Sequence, residues 1–174
     1  MPTSYLQVLN DRLVAVLKPF AAPIAISFYA SGHTPAAARV QPNHPEPNVH
    51  GRTGQVPAGC VFWIQATDNT FSTEKADHAN CSVGSYTHGF ITIEEVVTKD
   101  DIGVALETGW VNEVAVHDLP RVVDTPESVV YGPLAKSAVT PDVVLLRING
   151  LALMTLKDAF PEMPIAGKPQ CHIV

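Results

Sequence analysis

The feature that most limits how this chain can fold is the stretch of residues 31–57, which carries five prolines and three histidines but hardly any large apolar side chain. Such a stretch contributes little to a hydrophobic core, so the core must come from the segments on either side of it. Loops of this length without regular structure are uncommon inside compact domains and are usually functional or disordered. We therefore predict a long Pro-rich loop over residues 31–57 that forms an ordered cover over a site, with disorder as the alternative.

The segment before this loop predicts one helix followed by one strand. Leucines recur at three- and four-residue intervals between Ser4, which forms a capping box with Gln7, and Pro19, which ends the pattern. This spacing predicts an amphipathic helix over residues 5–17. The alternation of large apolar residues with small or polar ones over residues 23–29 predicts a half-buried strand.

After the loop, capping residues, prolines and glycines delimit helices, and β-branched apolar runs indicate strands. We predict helices over residues 58–66, from about Cys81, from Thr92, from Thr98 to Gly109, from Thr125-Pro126-Glu127, and over residues 150–160 behind Asn149. We predict strands over residues 70–73, 129–131 and 143–148. Strands separated by helices indicate an α+β (mixed α/β) fold, with one mixed sheet covered by helices in a single domain over residues 1–174.

Composition excludes several classes of function. The chain has 174 residues and a formal charge of −6, without a run of Lys or Arg, which argues against a nucleic-acid partner. No aliphatic stretch approaches the roughly 20 residues that cross a bilayer, and no signal segment opens the chain, so we expect a cytoplasmic protein. Only 16% of the residues are charged, well under the roughly 25% of an average domain. We therefore expect a homo-oligomer or a partner protein.

Three cysteines, Cys60, Cys81 and Cys171, are the most reactive side chains of the sequence. They cannot form a closed disulfide framework, and they contain no C-x-x-C pair, so we expect reduced thiols. Cys60 and Cys81 fall near predicted helix N-termini, where the thiolate form is favoured. The alternative is that each cysteine is an inert small hydrophobe in the core.

The densest group of polar and reactive residues is the segment of residues 77–89, DHANCSVGSYTHG. His78 and Cys81 are three residues apart, so in a helix they share a face and converge on one metal or one proton. His88, between Thr87 and Gly89, is a second candidate imidazole. Its alternative role is to fix a loop by hydrogen bonding.

These motifs resemble the domain of unknown function 169 family. The pattern D-H-x-x-C-x-x-G within residues 77–89 is the most specific part of the resemblance. The other similar segments are PIAI at 23–26, GC at 59–60, TFST at 70–73, VYGPL at 130–134, PDVVL at 141–145, LM at 153–154 and GKPQC at 167–171. The resemblance thus covers nearly the whole chain.

The resemblance implies a cytosolic prokaryotic domain of α/β type with cysteines at the positions of Cys60, Cys81 and Cys171. Three distant cysteines that each lie in a family motif indicate one gathered site. The family continues past the third cysteine with a further glycine- and cysteine-containing region, whereas this chain ends at Val174. We therefore expect either a fragment or a version that lacks one ligand.

The leading functional hypothesis is a metal or iron–sulfur protein, possibly with a redox role, in which Cys60, Cys81 and Cys171 are thiolate ligands. The fourth position then belongs to an imidazole, a partner or an exogenous molecule; the candidate imidazoles are His78, His88 and His172. Three thiolates with one open position suit an iron–sulfur cluster or zinc.

Two other hypotheses belong to different classes of function. In the first, Cys81 is the nucleophile of a metal-independent enzyme or binder of small molecules, with His78 or His88 as its base and the loop of residues 31–57 as a lid. In the second, the chain is an accessory subunit of a larger complex, and its cysteines are inert.

Overall fold

The structure is a computed structural model that describes residues 4–35, 60–79, 81–98 and 100–164. Residues 36–57 of the predicted loop lie outside these ranges, as do Cys171 and His172. Residues 31–35, the described start of that loop, contain no helix or strand.

Helices make up most of the described elements. The described α-helices are α1 (Tyr5–Leu17), α2 (Val61–Gln65), α3 (Ser82–Thr87), α4 (Ile93–Val97), α5 (Asp100–Glu107), α6 (Glu113–His117) and α7 (Gly150–Ala159). The described strands are β1 (Ile24–Tyr29), β2 (Phe71–Glu74), β3 (Ser128–Pro133) and β4 (Val143–Leu145), and short 3₁₀ helices cover Lys75–His78 and Leu134–Lys136. None of the described helices is long and apolar enough to cross a membrane.

The four strands form one sheet in the order β2-β3-β1-β4, and every pairing is antiparallel. The α+β class is confirmed, but the sheet is antiparallel where we predicted a mixed one. The register explains the difference, because Glu74 at the end of β2 lies opposite Ser128 at the start of β3. The helices between these strands therefore leave and rejoin the sheet at the same end, and no crossover to a parallel strand is needed.

The sheet has helices on both faces, as expected from the alternation of side chains along a strand. On one face, Ile24 and Ile26 pack with Phe62 of α2 and with Tyr131 of β3. On the other face, Ala25 packs in a cluster with Leu6 of α1 and with Leu134. A third cluster of buried residues joins α3 to α6, so the helical segment between β2 and β3 has an apolar core of its own.

Local sequence signals located most helices correctly. α1 spans the predicted residues 5–17, α7 begins behind Asn149 as predicted, and the capping box of Thr92 and Glu95 is formed in both directions. The predicted strand over residues 143–148 is confirmed only for Val143–Leu145.

Between α5 and β3, one predicted helix is absent from the described residues and one helix was missed. Thr125-Pro126-Glu127 begins no helix. Instead, the Glu127 N–H donates to the Tyr29 carbonyl at 2.8 Å, and its carboxylate accepts the Gly32 N–H at 2.7 Å. The helix α6 was not predicted, although Asn112 caps it by accepting the Ala115 N–H at 2.8 Å.

Candidate functional site

Cys81 is the N-cap residue of α3, at the point where the chain turns back from the 3₁₀ helix Lys75–His78. Its backbone N–H donates to the His78 carbonyl at 2.9 Å, which fixes the turn. Its Sγ accepts the Gly84 N–H at 3.3 Å, and the side chain is exposed. A hydrogen bond to sulfur stabilises the thiolate more than the thiol, so this position favours a reactive sulfur that solvent reaches.

His78 is the buried partner in this turn, with only 2% of its surface exposed. Its Nε2 lies 2.8 Å from the hydroxyl oxygen of Thr73 on β2, and its ring packs 4.9 Å from the Phe62 ring. Its carbonyl also accepts the hydroxyl of Ser85 at 2.7 Å. Both the ring and the backbone of His78 are therefore held by neighbours from the sheet and from α3.

Gly84 separates the thiol of Cys81 from the imidazole of His78. A Cβ atom at Gly84 would lie 3.0 Å from Cys81 Sγ and 3.7 Å from His78 Nδ1. The two groups that the sequence placed three residues apart thus border the same small space, which the glycine leaves open.

Cys60 comes from a different segment and is the N-cap residue of α2. We predicted it inside a helix over residues 58–66, whereas the described helix begins at Val61, one residue after it. Cys60 is half-buried and packs against the core cluster that contains Phe62 and Tyr131.

Tyr131 of β3 is a buried tyrosine whose pKa is affected by both cysteines. It is fully buried, and that burial raises its pKa well above the usual value. The charges of Cys60 and Cys81 raise the pKa of Tyr131 further, whereas a hydrogen bond with the Thr73 hydroxyl lowers it. The fold therefore brings two cysteines from separate segments near one buried phenol.

His88, the C-cap residue of α3, connects that helix to Tyr131. Its Nδ1 lies 2.6 Å from the Gly84 carbonyl oxygen, and its Nε2 lies 2.7 Å from the Tyr131 hydroxyl. Burial lowers the pKa of His88, although the hydrogen bond to Gly84 opposes this shift. Both ring nitrogens are thus engaged, as the loop-fixing alternative for His88 requires.

The structure places His78 next to Cys81 at Gly84 and next to the ring of His88, whereas Cys60 packs against the core cluster that contains Tyr131. No three His, Cys, Asp or Glu side chains within the described ranges are arranged to hold a metal ion. Cys171, the third predicted thiolate ligand, and His172 lie outside those ranges.

Sequence reasoning missed Thr73 and Tyr131, which hold the two histidines. Both fall in predicted strands, where a threonine or a tyrosine is an ordinary component of a sheet. The only signal was the placement of residues 70–73 and 130–134 in motifs of the resemblance, and this carries no chemical information.

An open groove of about 470 Å³ lies at the end of β1, away from Cys81. Phe28, Asp124 and Asp142 are among its lining residues. Asp142 accepts the Phe28 N–H at 2.8 Å, and the Phe28 ring lies 5.8 Å from the His88 ring. The ring of Phe28 therefore lies between this groove and His88.

Comparison with known proteins gives one match. A family model, DUF169, described as "Uncharacterised ArCR", matches residues 12–160, a range that includes every described site residue. No curated protein and no solved structure matches the chain significantly.

Proposed function

This chain belongs to the domain of unknown function 169 family, and we propose that it is a metal protein in which Cys60, Cys81 and Cys171 hold an iron–sulfur cluster or a zinc ion. The observation that carries the proposal is that Cys60 packs against the core cluster that contains Tyr131, while Cys81 borders His78, whose ring lies 6.4 Å from the Tyr131 ring. Cys171 enters the proposal from the sequence.

The space beside Cys81 supports this proposal. Gly84 has no side chain between Cys81 Sγ and His78 Nδ1, and a Cβ there would come within 3.0 Å of the sulfur. Sulfur and imidazole nitrogen are the ligand atoms that zinc accepts in tetrahedral sites, and iron–sulfur clusters use thiolates. A glycine at this position keeps a side chain from coming between the two atoms.

Electrostatics favours a cation at the same place. Two thiolates near one buried phenol, at the half-buried Cys60 and the exposed Cys81, create a negative potential beside it. A bound metal neutralises that charge. Soft thiolates also select zinc and iron–sulfur centres over harder ions such as magnesium.

His78 is the candidate imidazole ligand in this proposal, because its Nδ1 and Cys81 Sγ both lie within 4 Å of a Cβ atom at Gly84. His78 is held through Nε2 by Thr73, and its Nδ1 borders the space at Gly84. In this proposal His78, or His172, completes the ligand set, and Thr73 orients the ring in the way that outer hydrogen-bond partners orient metal-bound histidines.

An iron–sulfur cluster in this site supplies one-electron transfer, whereas zinc supplies a Lewis acid or a structural cross-link. The chain's own residues hold the centre and shield one side of it. We expect the protein to work in the cytoplasm, where three cysteines remain reduced.

Elemental analysis of full-length protein purified without oxygen tests this proposal, together with an absorption spectrum. We expect stoichiometric iron or zinc, with a broad absorption near about 400 nm if the centre is a cluster. Cys60→Ser, Cys81→Ser and Cys171→Ser each lose metal, whereas His117→Ala, at an exposed histidine of α6, retains it. Colourless, metal-free wild-type protein with three freely titratable thiols would exclude the proposal.

A second candidate function, metal-free thiol chemistry, is favoured by the orientation of His78. The Thr73 hydroxyl lies 3.4 Å from the Val129 carbonyl as well as 2.8 Å from His78 Nε2. His78 and Cys81 border the same space at Gly84, so His78 is the candidate general base for the Cys81 thiol in this second function.

Iodoacetamide labelling of chelator-treated protein separates the two candidates. Metal-free chemistry predicts fast labelling of Cys81 alone, with a pH dependence that His78→Gln abolishes. Equal, slow labelling of all three cysteines counts against it.

Association with a second copy or a partner is a further part of our proposal. Helix α7 and its C-cap residue expose apolar side chains: Leu151, Met154 and Phe160 are 73%, 65% and 60% exposed. Native mass measurement of the full chain tests this part, and a well-behaved monomer at micromolar concentration contradicts self-association.

A further inference from the structure

His88 and Tyr131 form a bridge between the sheet and α3, the helix that begins at Cys81. A carbonyl oxygen only accepts hydrogen bonds, so Nδ1 of His88 must carry the proton that it shares with Gly84 at 2.6 Å. In a neutral ring whose Nδ1 carries the proton, Nε2 is an acceptor. The Tyr131 hydroxyl therefore donates to Nε2 at 2.7 Å.

Tyr131 is a rigid attachment point for this bridge. Its side chain is completely buried, and its ring stacks on Phe71 with centroids 5.5 Å apart and planes inclined by 23°. β3, which carries it, is paired with a strand on each side, so Tyr131 lies between Ile26 and Phe71 in the sheet. A hydroxyl held in this way cannot follow a displacement of α3.

The helix α3 depends on such external contacts because it has only six residues. Isolated helices of this length are unstable in water. His88 binds the Gly84 carbonyl twice, through its backbone N–H at 3.1 Å and through Nδ1. The same residue, Gly84, donates its N–H to Cys81 Sγ.

We infer that Tyr131 and His88 are positioning residues for the Cys81 thiol, because they fix Gly84 and with it the N–H that bonds to the sulfur. The path runs from the Tyr131 hydroxyl to the His88 ring, then to the Gly84 carbonyl and, through the glycine backbone, to Cys81 Sγ. The inference rests on the proposed thiolate site only in taking Cys81 as its functional sulfur, and it holds with or without a bound metal.

The test measures Cys81 in metal-free, full-length protein, by mass-spectrometric mapping of iodoacetamide labelling against pH. Tyr131→Phe removes only the hydroxyl, and His88→Phe keeps an aromatic ring beside Phe90 and Phe28 but loses both hydrogen bonds. Each change is expected to raise the midpoint of the Cys81 profile by about half a unit to one unit, because the sulfur loses a well-placed donor. The double variant is expected to show the same shift as either single variant, since both interrupt one path.

Tyr86→Phe is the matched control, since Tyr86 lies on α3 itself and is also buried, and its hydroxyl takes no part in the path from Tyr131 through His88 to Gly84. His88→Gln, which supplies one donor and one acceptor, keeps the profile closer to that of the wild type than His88→Phe does. The inference fails if Tyr131→Phe lowers the melting temperature while its Cys81 profile coincides with that of Tyr86→Phe. Failure of the metal proposal appears separately, as an absence of metal in wild-type protein whose Cys81 profile still responds to Tyr131→Phe.

Discussion

The imidazole rings of His78 and His88 lie 4.8 Å apart, centroid to centroid, with their planes inclined by 37°. Each ring is held by a hydroxyl of the sheet, His78 by Thr73 and His88 by Tyr131. A proton on one ring opposes a proton on the other at this separation. The pair thus forms a polar layer between the sheet and α3, and the thiol of Cys81 lies at its exposed side.

The first prediction concerns stability against pH. Burial lowers the pKa of His88 below its ordinary value of 6.5. Above that value, the native and unfolded chains both hold His88 neutral, and its contribution to stability is complete. As the pH falls below the ordinary value, the unfolded chain binds a proton at His88 that the native chain does not bind. The free energy of unfolding therefore decreases by at most about 1.4 kcal/mol per pH unit until the native ring is also protonated.

Urea unfolding at a series of pH values between about 7.5 and 5 measures this effect. His88→Phe is expected to flatten the dependence below the ordinary histidine pKa. His117→Gln, at an exposed position of α6, is the control and retains the wild-type dependence. Equal slopes for His88→Phe and the wild type would refute the assignment of the effect to His88.

The second prediction concerns Gly84→Ala. Alanine favours a helix over glycine by about 1 kcal/mol, so the stability of α3 is not expected to suffer from propensity. However, the new methyl group would lie 3.0 Å from Cys81 Sγ and must displace the sulfur. We expect metal affinity to fall by about tenfold or more, as it does when groups around metal ligands are disturbed.

Gly103→Ala is the control for this effect, because its Cβ would make only an ordinary contact, 3.6 Å from the Val97 carbonyl oxygen. Metal titration of both variants by competition with a chelator gives the comparison. Unchanged affinity in Gly84→Ala would show that the space beside the sulfur is not used.

The third prediction concerns the hydroxyl of Thr73. Thr73→Val keeps the shape of the side chain but leaves Nε2 of His78 without this partner at a site where both residues are almost completely buried. We expect the free energy of unfolding to fall by about 1–3 kcal/mol. Thr73→Ser retains the hydroxyl and loses one methyl group, for a cost of about 0.8 kcal/mol. Chemical denaturation ranks the variants, and a valine variant more stable than the serine variant would contradict this role of the hydroxyl.

The fourth prediction concerns the close approach of β3 to Thr70. A Cβ at Gly132 would lie 2.5 Å from Thr70 Oγ1 and 3.3 Å from its Cα. Because a backbone atom is among the neighbours, the clash cannot be relieved by a side-chain rotation alone, and Gly132→Ala is expected to destabilise by about 1–3 kcal/mol. Gly150→Ala at the start of α7 meets nothing within 4 Å and is expected to be neutral or stabilising. Thermal unfolding measures the melting temperatures of the two variants, and equal values would contradict the prediction.

Sequence patterns succeeded where a structure is decided by residues three or four positions apart. The ends of α1 and the start of α7 follow from Ser4 and Asn149, which cap helices through hydrogen bonds to Gln7 and Ala152. The same local reasoning placed His78 and Cys81 together, because both lie in one short turn. It failed at Thr125-Pro126-Glu127, where Glu127 forms hydrogen bonds instead with Tyr29 and Gly32, which are distant in the sequence.

The chain's own sequence therefore determined the boundaries of α1, the start of α7, the α+β class and the candidate sulfur and nitrogen atoms, because capping, periodicity and side-chain chemistry are local properties. Only the tertiary structure decided that Thr73 holds His78, that Tyr131 holds His88, and that Cys60 approaches the same phenol as Cys81. These relationships depend on the register of β2 against β3 and on the burial that this register creates. Neither the register nor the burial is encoded in the spacing of the residues concerned.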